Sequence, residues 1–446
     1  MANIRFNDAL RLAAGAASDK ALPADWPVRI IRDVYGRLRF AIDCDLAQYP
    51  ETARLMLETA QRSLGAYATS NEVLFRDSFS NPQAVFDSAD WHRTTVPLGV
   101  DEDGNPPGDL DVQVLDRQIT GQDWLRPPLN AAAHPHRLVF FGLKGGVGRS
   151  TALTMVAWGL ARQGRRVLLV DFDLESPGLS SLVLPPERVA EFGLVDWLVE
   201  DAVGQGDDVL AAMVSASPLG DSTEGAIRVA TAMGQREPDY LAKLARAYAD
   251  VPGPDGPRRM GARMRRVLEL LETQEQPDLV LIDSRAGLHD LAAVSITSLA
   301  DTALLFATDS AQTWAGYRQL FTHWQRRPDV VTHVRERLAI VRALTPKSFR
   351  EGGVKRFQRE AYELFAETLY DDIPPAAQAD AADYFHPSEA DEAAPHFPIL
   401  VDWDERFQEF DPRLRPEQGG ANEAQVDAAF GNLIRWVAER TTGSNA

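Results

Sequence analysis

The sequence predicts an α/β fold with a doubly wound, mostly parallel sheet, preceded by a small N-terminal α/β module. Three observations lead to this prediction. From residue 136 onward, short apolar segments alternate with segments of helical spacing, as in parallel sheets whose connections are helices. A stretch rich in acidic residues, proline and glycine, GVDEDGNPPGDLD, precedes this part. The residues before that stretch combine helical and strand-like segments of their own.

The composition is that of a globular protein with two or three domains. Of 446 residues, 45% are hydrophobic and 25% are charged. The net charge of −19 disfavours indiscriminate binding to nucleic acids or anionic membranes. A single cysteine, Cys44, excludes an intrachain disulfide and a cysteine-based metal cluster within one chain. No apolar run approaches the ~20 residues that span a bilayer, so we expect no transmembrane segment and a cytoplasmic location.

The N-terminal module, residues 1–110, contains four segments of regular periodicity. Apolar spacing predicts helices over Phe6–Ala17 and within residues 50–67. Two β-prone runs flank Tyr35-Gly36 and predict a hairpin, and EVLFRDSF (72–79) predicts a further strand. The module shows no catalytic constellation, so we expect a protein-binding adaptor.

Residues 111–135 are interpreted as a linker and lead-in to the second domain, residues 136–446. This domain opens with strand, loop, helix and strand in the segments RLVFFG, KGGVGR, STALTMVAWGLARQ and RRVLLVDFD. A helical insertion is predicted at about 196–265, and an apolar stripe from Val426 to Val437 predicts a final helix that packs on the domain. Four further buried strands are predicted, over residues 227–233, 278–283, 302–308 and 337–344.

The glycine-rich loop is the first segment with recognisable chemistry. A loop between a strand and a helix presents successive backbone N–H groups to an anion, and the helix dipole adds to the attraction. Gly145, Gly146 and Gly148 let the backbone approach a phosphate closely. Ser150 can offer its hydroxyl to Mg²⁺, and Thr151 lies where its side chain can reach the first phosphate.

The segment KGGVGRST resembles the deviant Walker A loop of the ParA/MinD-type ATPases, which are dimerising P-loop NTPases. The resemblance covers about residues 136–440 and implies that residues 145–151, including Val147, bind ATP. It also implies that Lys144 is the signature lysine, which reaches across a dimer to the partner's nucleotide. Arg149 stands where the family has the lysine that contacts the β- and γ-phosphates of its own subunit.

Two further segments resemble the family in the expected order, VDFDLESPGL and LVLIDSRAGL. The resemblance implies that Asp171 helps to hold the Mg²⁺ shell and that Asp173 positions the attacking water. It implies that Asp283 is the acid at the end of the Walker B strand and that Ala286-Gly287 belong to a switch loop. Taken singly, an aspartate at the end of a strand is as often a simple cap of a turn or helix.

Several other residues have less specific signals. Glu175 and Arg285 are either part of the site or members of a surface salt bridge. In relatives the adenine lies beside the loop after a late strand, which corresponds to Thr345-Pro346, with a second contribution around Pro398–Asp402.

Arg149 raises the question of catalytic rate. Arginine keeps the positive charge and offers a planar fork suited to phosphate, but it is bulkier than lysine. Lysine is retained at Lys144, where a flexible point charge suits a contact across a dimer. This contrast suggests that the dimer contact is used while hydrolysis is slow or differently arranged.

These features predict an ATP- and Mg²⁺-dependent dimerisation switch, a slow ATPase that forms a homodimer with ATP and recruits a protein partner. One alternative is a nucleotide-sensing scaffold without useful turnover. Another is a bacterial-type tyrosine kinase, which is disfavoured because no tyrosine follows Tyr384 for phosphorylation in trans. Nucleic-acid binding is possible but not favoured, because the basic segments 257–266 and 323–338 are more typical of solvated helix faces.

Overall fold

The computed structural model describes most of the chain as two compact units. One unit runs to Gln122 and includes His323–Pro328, and the other comprises Asp123–Thr322 and the residues from Asp329 onward. Residues 98–107, which contain most of the acidic Pro/Gly stretch, lie outside the described residues. The described residues are 4–88, 90–97, 108–118, 120–126, 134–235, 239–253, 256–347, 350–374, 384–407, 411, 414, 420 and 422–441.

The N-terminal unit is a four-stranded mixed sheet with its own apolar core. Its strands lie in the order β2-β1-β4-β3, and only the β1–β4 pair is parallel. The elements are β1 (Arg29–Arg32), β2 (Leu38–Ala41), β3 (His92–Val96), β4 (Leu110–Asp116), α1 (Phe6–Ala17), α2 (Glu51–Ser63) and α3 (Pro82–Phe86).

The structure confirms three of the four local predictions for this unit. Helices α1 and α2 lie where the periodicity places them, and β1 pairs with β2 in an antiparallel hairpin. Gly36 adopts φ +82° in the turn, a conformation that favours glycine. The strand predicted over 72–79 is wrong, since Leu74 forms only an isolated bridge and Arg76–Ser78 form a 3₁₀ turn. Ser78 Oγ accepts the N–H of Phe75 at 2.9 Å and so favours the turn over a ladder.

Strand β4 lies in the segment that the sequence assigned mainly to the lead-in. It pairs with β1 on one side and β3 on the other, so residues 111–116 belong to the N-terminal sheet. Its alternating buried side chains, Val112 and Val114, join the core of this unit. The N-terminal unit therefore uses a strand from beyond residue 110.

The second unit contains an eight-stranded sheet in the order β12-β11-β10-β5-β9-β6-β8-β7, in which only β7 runs antiparallel to its neighbour. Its strands are β5 (His136–Gly142), β6 (Arg166–Phe172), β7 (Val214–Ala216), β8 (Ala226–Ala230), β9 (Leu279–Ser284), β10 (Thr302–Ala307), β11 (Leu338–Thr345) and β12 (Ile399–Asp402). Helices that begin in this part of the chain are α4 (Arg149–Ala161), α5 (Leu179–Val183), α6 (Leu194–Ala202), α7 (Gly206–Val209), α8 (Tyr240–Ala247), α9 (Met260–Glu275), α10 (Asp290–Val294), α11 (Ala311–Gln325), α12 (Pro328–Val334), α13 (Arg350–Thr368) and α14 (Glu423–Thr441).

The strand order reverses at β5, which confirms the doubly wound, mostly parallel sheet. Strands β9, β6 and β8 lie on one side of β5, and β10, β11 and β12 lie on the other. Ligands of open α/β sheets bind at such a switch point, beyond the carboxyl ends of the strands. The glycine-rich loop follows β5 and therefore lies at this point.

The four further strands predicted for this domain are confirmed as β8, β9, β10 and β11, and α14 confirms the final helix. The interval 196–265 contains β7 in addition to the predicted strand β8 and its helices. The sequence did not predict β7 or β12, which have three and four residues and are too short for a clear period. No helix in the described part of the chain is long and apolar enough to cross a membrane.

Candidate nucleotide-binding site

The loop between β5 and α4 has the backbone of a phosphate cradle. Gly146 and Gly148 adopt φ +75° and +74°, where a side chain would strain the backbone. Among the described residues, no atom lies within 4 Å of the position that a Cβ would take at Gly145 or Gly146. The space beside these two residues is therefore open to a close-fitting ligand.

The first turn of α4 supplies the electrostatic part of an anion site. Gly148 is the N-cap and has no side chain that could accept the helix's first N–H groups. These donors and the positive end of the helix dipole face the glycine-rich loop. The loop and the helix start thus fit a phosphate group.

Two neighbouring strands bring acidic side chains to the same edge of the sheet. Asp171 of β6 lies directly opposite Asp283 of β9 in the parallel register. Ser150, in the first turn of α4, donates its hydroxyl to Asp283 Oδ2 at 2.6 Å. The sheet therefore gathers residues that are far apart in the sequence next to the glycine-rich loop.

Arg149 lies between two of these acids. Its Nε donates to Asp283 Oδ1 at 2.7 Å and its Nη2 donates to Asp173 Oδ2 at 3.0 Å. Burial lowers the pKa of Arg149, but the charges and hydrogen bonds of Asp283 and Asp173 outweigh burial, so its pKa is raised. Arg149 is thus a buried, permanently charged group that neutralises part of the charge of the acids. We call Arg149, Asp171, Asp173 and Asp283 together the Arg149 cluster.

Asp171 shapes the loop that follows β6. It is fully buried and accepts the N–H groups of Asp173 at 3.1 Å and Leu179 at 3.3 Å. Burial raises the pKa of Asp171 well above its usual value, and the nearby charge of Asp283 raises it further. In this structure Asp171 organises the turn that carries Asp173, and its expected part in a Mg²⁺ shell stays a prediction.

Asp173 retains an unused acceptor. Burial raises its pKa, Arg149 opposes that rise, and Asp283 adds to it. Its Oδ2 receives the bond from Arg149, whereas Oδ1 is buried and has no hydrogen-bond partner among the described residues. A buried oxygen of this kind is unusual in a folded protein, and it fits a site completed by a ligand, water or ion.

The remaining residues expected in the loop occupy different positions. Lys144 donates its Nζ to Gln312 Oε1 of α11. The side chain of Val147 packs into the apolar core, so only its backbone can serve a ligand. Thr151 is half-buried in the first turn of α4. The structure therefore brings Ser150, but not Lys144, into contact with the Arg149 cluster.

The two segments expected near adenine lie side by side. Thr345, at the end of β11, pairs with Asp402, at the end of β12. Leu344 adopts φ +52°, and its Cδ2 lies 3.5 Å from the position of a Cβ on Gly148. The ends of β11 and β12 thus border the glycine-rich loop, and an adenine contact there stays a prediction.

Sequence patterns did not reveal that Tyr248 and His289 contact Glu175. The structure pairs Glu175 with Arg285 and places Tyr248 and His289 against the same carboxylate. Glu175 follows β6 and Arg285 follows β9, so their ion pair joins the two loops that follow these strands. Tyr248 comes from the interval 196–265, which has no motif that could have pointed to this contact.

The donor set suits a metal ion that also binds phosphates. Among the described residues, no group of three or more His, Cys, Asp or Glu side chains has the arrangement of a complete metal site. Mg²⁺ is usually held by one or two carboxylates together with waters and substrate phosphates. Ser150 and Asp283, beside the phosphate cradle, are sufficient protein donors for that arrangement.

Comparisons with known proteins agree with this geometry. Residues 138–345 match the CobQ/CobB/MinD/ParA nucleotide binding domain. Among curated proteins there is no significant match.

The chain is similar to several solved structures at low identity. A ParA family ATPase from Chlorobium tepidum TLS is 13% identical, with 68% of this chain and 98% of that chain covered and a TM-score of 0.41. The pNOB8 ParA bound to nonspecific DNA is 15% identical, with 70% and 100% covered and a TM-score of 0.41. Cobyrinic acid a,c-diamide synthase from Mycobacterium smegmatis, with bound ATP analog and magnesium, is 21% identical, with 48% and 75% covered and a TM-score of 0.33.

Proposed function

We propose that the protein, whose residues 138–345 match the CobQ/CobB/MinD/ParA nucleotide binding domain, is an ATP- and Mg²⁺-dependent dimerisation switch with slow hydrolysis. One observation carries the proposal. The glycine-rich loop, the start of α4 and the acids of β6 and β9 meet at the switch point of the sheet. This arrangement supports a site in which phosphates and Mg²⁺ are bound side by side.

Each part of the site has a distinct role in this proposal. The N–H groups of residues 145–151 would hold the phosphates, and Ser150 and Asp283 would hold Mg²⁺, with Asp171 supporting that shell. A Mg²⁺ ion there would supply charge neutralisation for the phosphates. Asp173 orients the attacking water, since phosphoryl transfer depends mainly on positioning and charge neutralisation. Hydrolysis is slow because Arg149 donates hydrogen bonds to Asp173 and Asp283, so the acid that orients the water is already engaged.

The environment of the Lys144 side chain supports the proposed dimer. Its ammonium is bonded to a neutral amide, Gln312, and is separate from the acids that hold Arg149. A lysine can exchange such a bond for a phosphate of a second subunit at little cost, because its stem is flexible and its charge is not neutralised by Gln312.

The dimer is tested by light scattering with Mg²⁺ and a non-hydrolysable ATP analogue. We expect wild type to dimerise with the analogue and to stay monomeric with ADP. Lys144→Ala should bind the analogue yet remain monomeric, whereas the matched control Lys20→Ala removes an exposed lysine of the N-terminal unit and should dimerise. A Lys144→Ala dimer of unchanged affinity would contradict the proposal.

A second candidate function is a nucleotide-sensing scaffold that binds ATP without useful turnover. The pairing of Arg149 with Asp173 favours it, because the acid expected to orient water is already engaged. Single-turnover hydrolysis of radiolabelled ATP separates the two functions. Product that forms within minutes supports the switch, and intact bound ATP after hours supports the scaffold.

The N-terminal unit is proposed to present a protein partner in the ATP state. Its separate sheet and core support an adaptor role. Full-length protein should capture its partner more strongly with ATP than with ADP. Capture that is independent of nucleotide would contradict this role.

A further inference from the structure

Helix α8, which belongs to the interval 196–265, contacts the loop that carries Asp173. The hydroxyl of Tyr240 donates to the backbone carbonyl of Leu174 at 2.5 Å. Leu174 is fully buried and directly follows Asp173, so this bond fixes the peptide next to the acid. Because the acceptor is a backbone carbonyl, the bond restrains the main chain of the loop itself.

A second tyrosine just beyond α8 reaches the same loop. The hydroxyl of Tyr248 donates to Glu175 Oε1 at 2.9 Å, and Glu175 also pairs with Arg285 of the loop after β9. The Nε2 of His289 lies 3.5 Å from Glu175 Oε1, and its ring meets that of Tyr248 edge-on with centroids 5.9 Å apart. Tyr248 is thus bonded at the point where the two loops of the site are joined.

Helix α8 is itself held firmly, so it can act as a support. Lys243 in α8 donates to Asp196 of α6 at 2.5 Å. At its C-terminal end, Arg263 of α9 donates to the carbonyls of Ala247 at 2.9 Å and of Ala249, just beyond the helix, at 3.0 Å. A helix bonded to two neighbouring helices positions its side chains more precisely than a free loop would.

We propose that Tyr240 and Tyr248 are positioning residues that hold the Asp173 loop in register with the loop after β9. This inference rests on the proposed ATPase function for its kinetic consequence, but its structural part stands on the contacts alone. Catalysis by placement is sensitive to displacements of about 1 Å, which can cost on the order of 10²-fold in rate. The interval 196–265 thereby becomes part of the catalytic apparatus.

The test uses Tyr240→Phe, Tyr248→Phe and the double variant in the full-length protein. Phenylalanine keeps the ring packing and removes only the hydroxyl that donates. Tyr370→Phe is the matched control, because its buried hydroxyl bonds His396 at 2.7 Å, apart from the Asp173 loop. Hydrogen exchange of the backbone amides of residues 173–176, 178 and 179 is measured for each protein, together with the kcat and KM for ATP.

We expect each single variant to exchange these amides about fivefold faster, as the loss of one ordinary hydrogen bond implies. In each single variant kcat should fall about tenfold while KM stays unchanged, and in the double variant kcat should fall further. Tyr370→Phe should change neither quantity. A purely structural tyrosine would alter unfolding without this split between kcat and KM.

The two levels of the inference fail separately. Unchanged amide exchange in the double variant overturns the positioning role, whatever the kinetics show. Faster exchange with unchanged kcat also overturns it, because the loop would then not control Asp173. If wild type has no turnover, the ATPase proposal fails, while faster exchange in the variants still supports the positioning of the loop.

Discussion

Two buried ionic clusters in the second unit have opposite charge ratios. In the Asp201 cluster, one fully buried carboxylate accepts bonds from Arg258 at 2.8 Å, Arg263 at 2.9 Å and Arg266 at 2.6 Å. In the Arg149 cluster, one guanidinium pairs with Asp283 of β9 and with Asp173, which follows β6. The first cluster has more cations than acids, and the second has more acids than cations.

The pKa shifts follow this difference. Burial alone would raise the pKa of Asp201, but the bonds from Arg258 and Arg263 outweigh it and the pKa is lowered. Burial and Asp283 raise the pKa of Asp171, and burial raises that of Asp173 although Arg149 opposes the rise. A satisfied acid is typical of a structural cluster, whereas acids in excess at an open edge are typical of a functional site.

The comparison also explains the basic segment 257–266. Its arginines were interpreted as a solvated helix face, yet Arg263 is buried and is bonded to Asp201 and to backbone carbonyls. Arg258 and Arg266 are bonded to the same carboxylate. These three cations hold α9 against α6, which supports the view that nucleic acid is not the favoured ligand of this segment.

The largest expected effect is on stability. Asp201→Ala leaves Arg263 buried without its acid, and breaking a buried pair in this way costs about 3–5 kcal/mol of unfolding free energy. Chemical denaturation measures the loss. Asp207→Ala is the control, because Asp207 is mostly exposed and its single bond to Arg266 contributes at most about 1 kcal/mol. Equal losses in the two variants would show that Asp201 is not the centre of its cluster.

The next effect separates catalysis from stability. Asp173→Ala removes one acid from the cation-poor cluster, and Arg149 keeps its bond to Asp283. We expect ATP binding to remain and turnover to fall by about 10² or more, in line with the loss of a group that directs proton transfer. Steady-state kinetics and an equilibrium binding assay measure the two quantities. Unchanged turnover would show that Asp173 does not orient the water.

Arg149→Lys is the sharpest test of the unusual residue in the loop. Lysine cannot span Asp283 and Asp173 with a planar fork, so it frees Asp173 while keeping the charge. If Arg149 restrains hydrolysis, turnover should rise about tenfold, which corresponds to the loss of about one charge-assisted bond. The lifetime of the ATP-bound dimer should fall in parallel.

Single-turnover kinetics and the decay of the dimer signal measure these two changes. If both ATP binding and turnover drop in Arg149→Lys, Arg149 is a phosphate ligand and not a restraint. If neither changes, the position tolerates either cation.

The smallest effect is the dependence of stability on pH, which should have opposite signs in the two clusters. Because the pKa of Asp201 is lower in the folded state, Asp201 stabilises the fold at pH values above its pKa in the unfolded state. This contribution is lost as the pH falls through the pKa of the folded state. The raised pKa of Asp171 stabilises the fold at low pH, and this contribution is lost as the pH rises through the native pKa.

Unfolding free energies measured between pH 3 and 8 test these signs. The difference in unfolding free energy between wild type and Asp201→Asn should become smaller toward low pH. Wild type should lose stability relative to Asp171→Asn as the pH rises. Parallel curves for wild type and both variants would contradict the assigned directions.

The parallel sheet, the glycine-rich loop and the acids at the strand ends could all be predicted from the amino-acid sequence. The alternation of apolar strands and helices predicted the parallel sheet, and the positions of Gly146 and Gly148 predicted a loop that the structure realises with positive φ angles. Asp171 and Asp283 each close a buried strand, and parallel strands end at one edge, so their convergence follows from local pattern and topology. These features depend on neighbouring residues or on periodic spacing, so a single sequence is enough to predict them.

The pairing of the charges and the contacts that support the site follow from the packing of the folded chain. Arg149 lies 134 residues from Asp283, and no local rule states that its guanidinium bonds that acid and Asp173 together. Tyr240 reaches Leu174 across 66 residues, from an interval without a motif. Side-chain pairing over such separations depends on how elements pack, because burial makes each charge or donor find whichever partner the packing brings within about 3 Å.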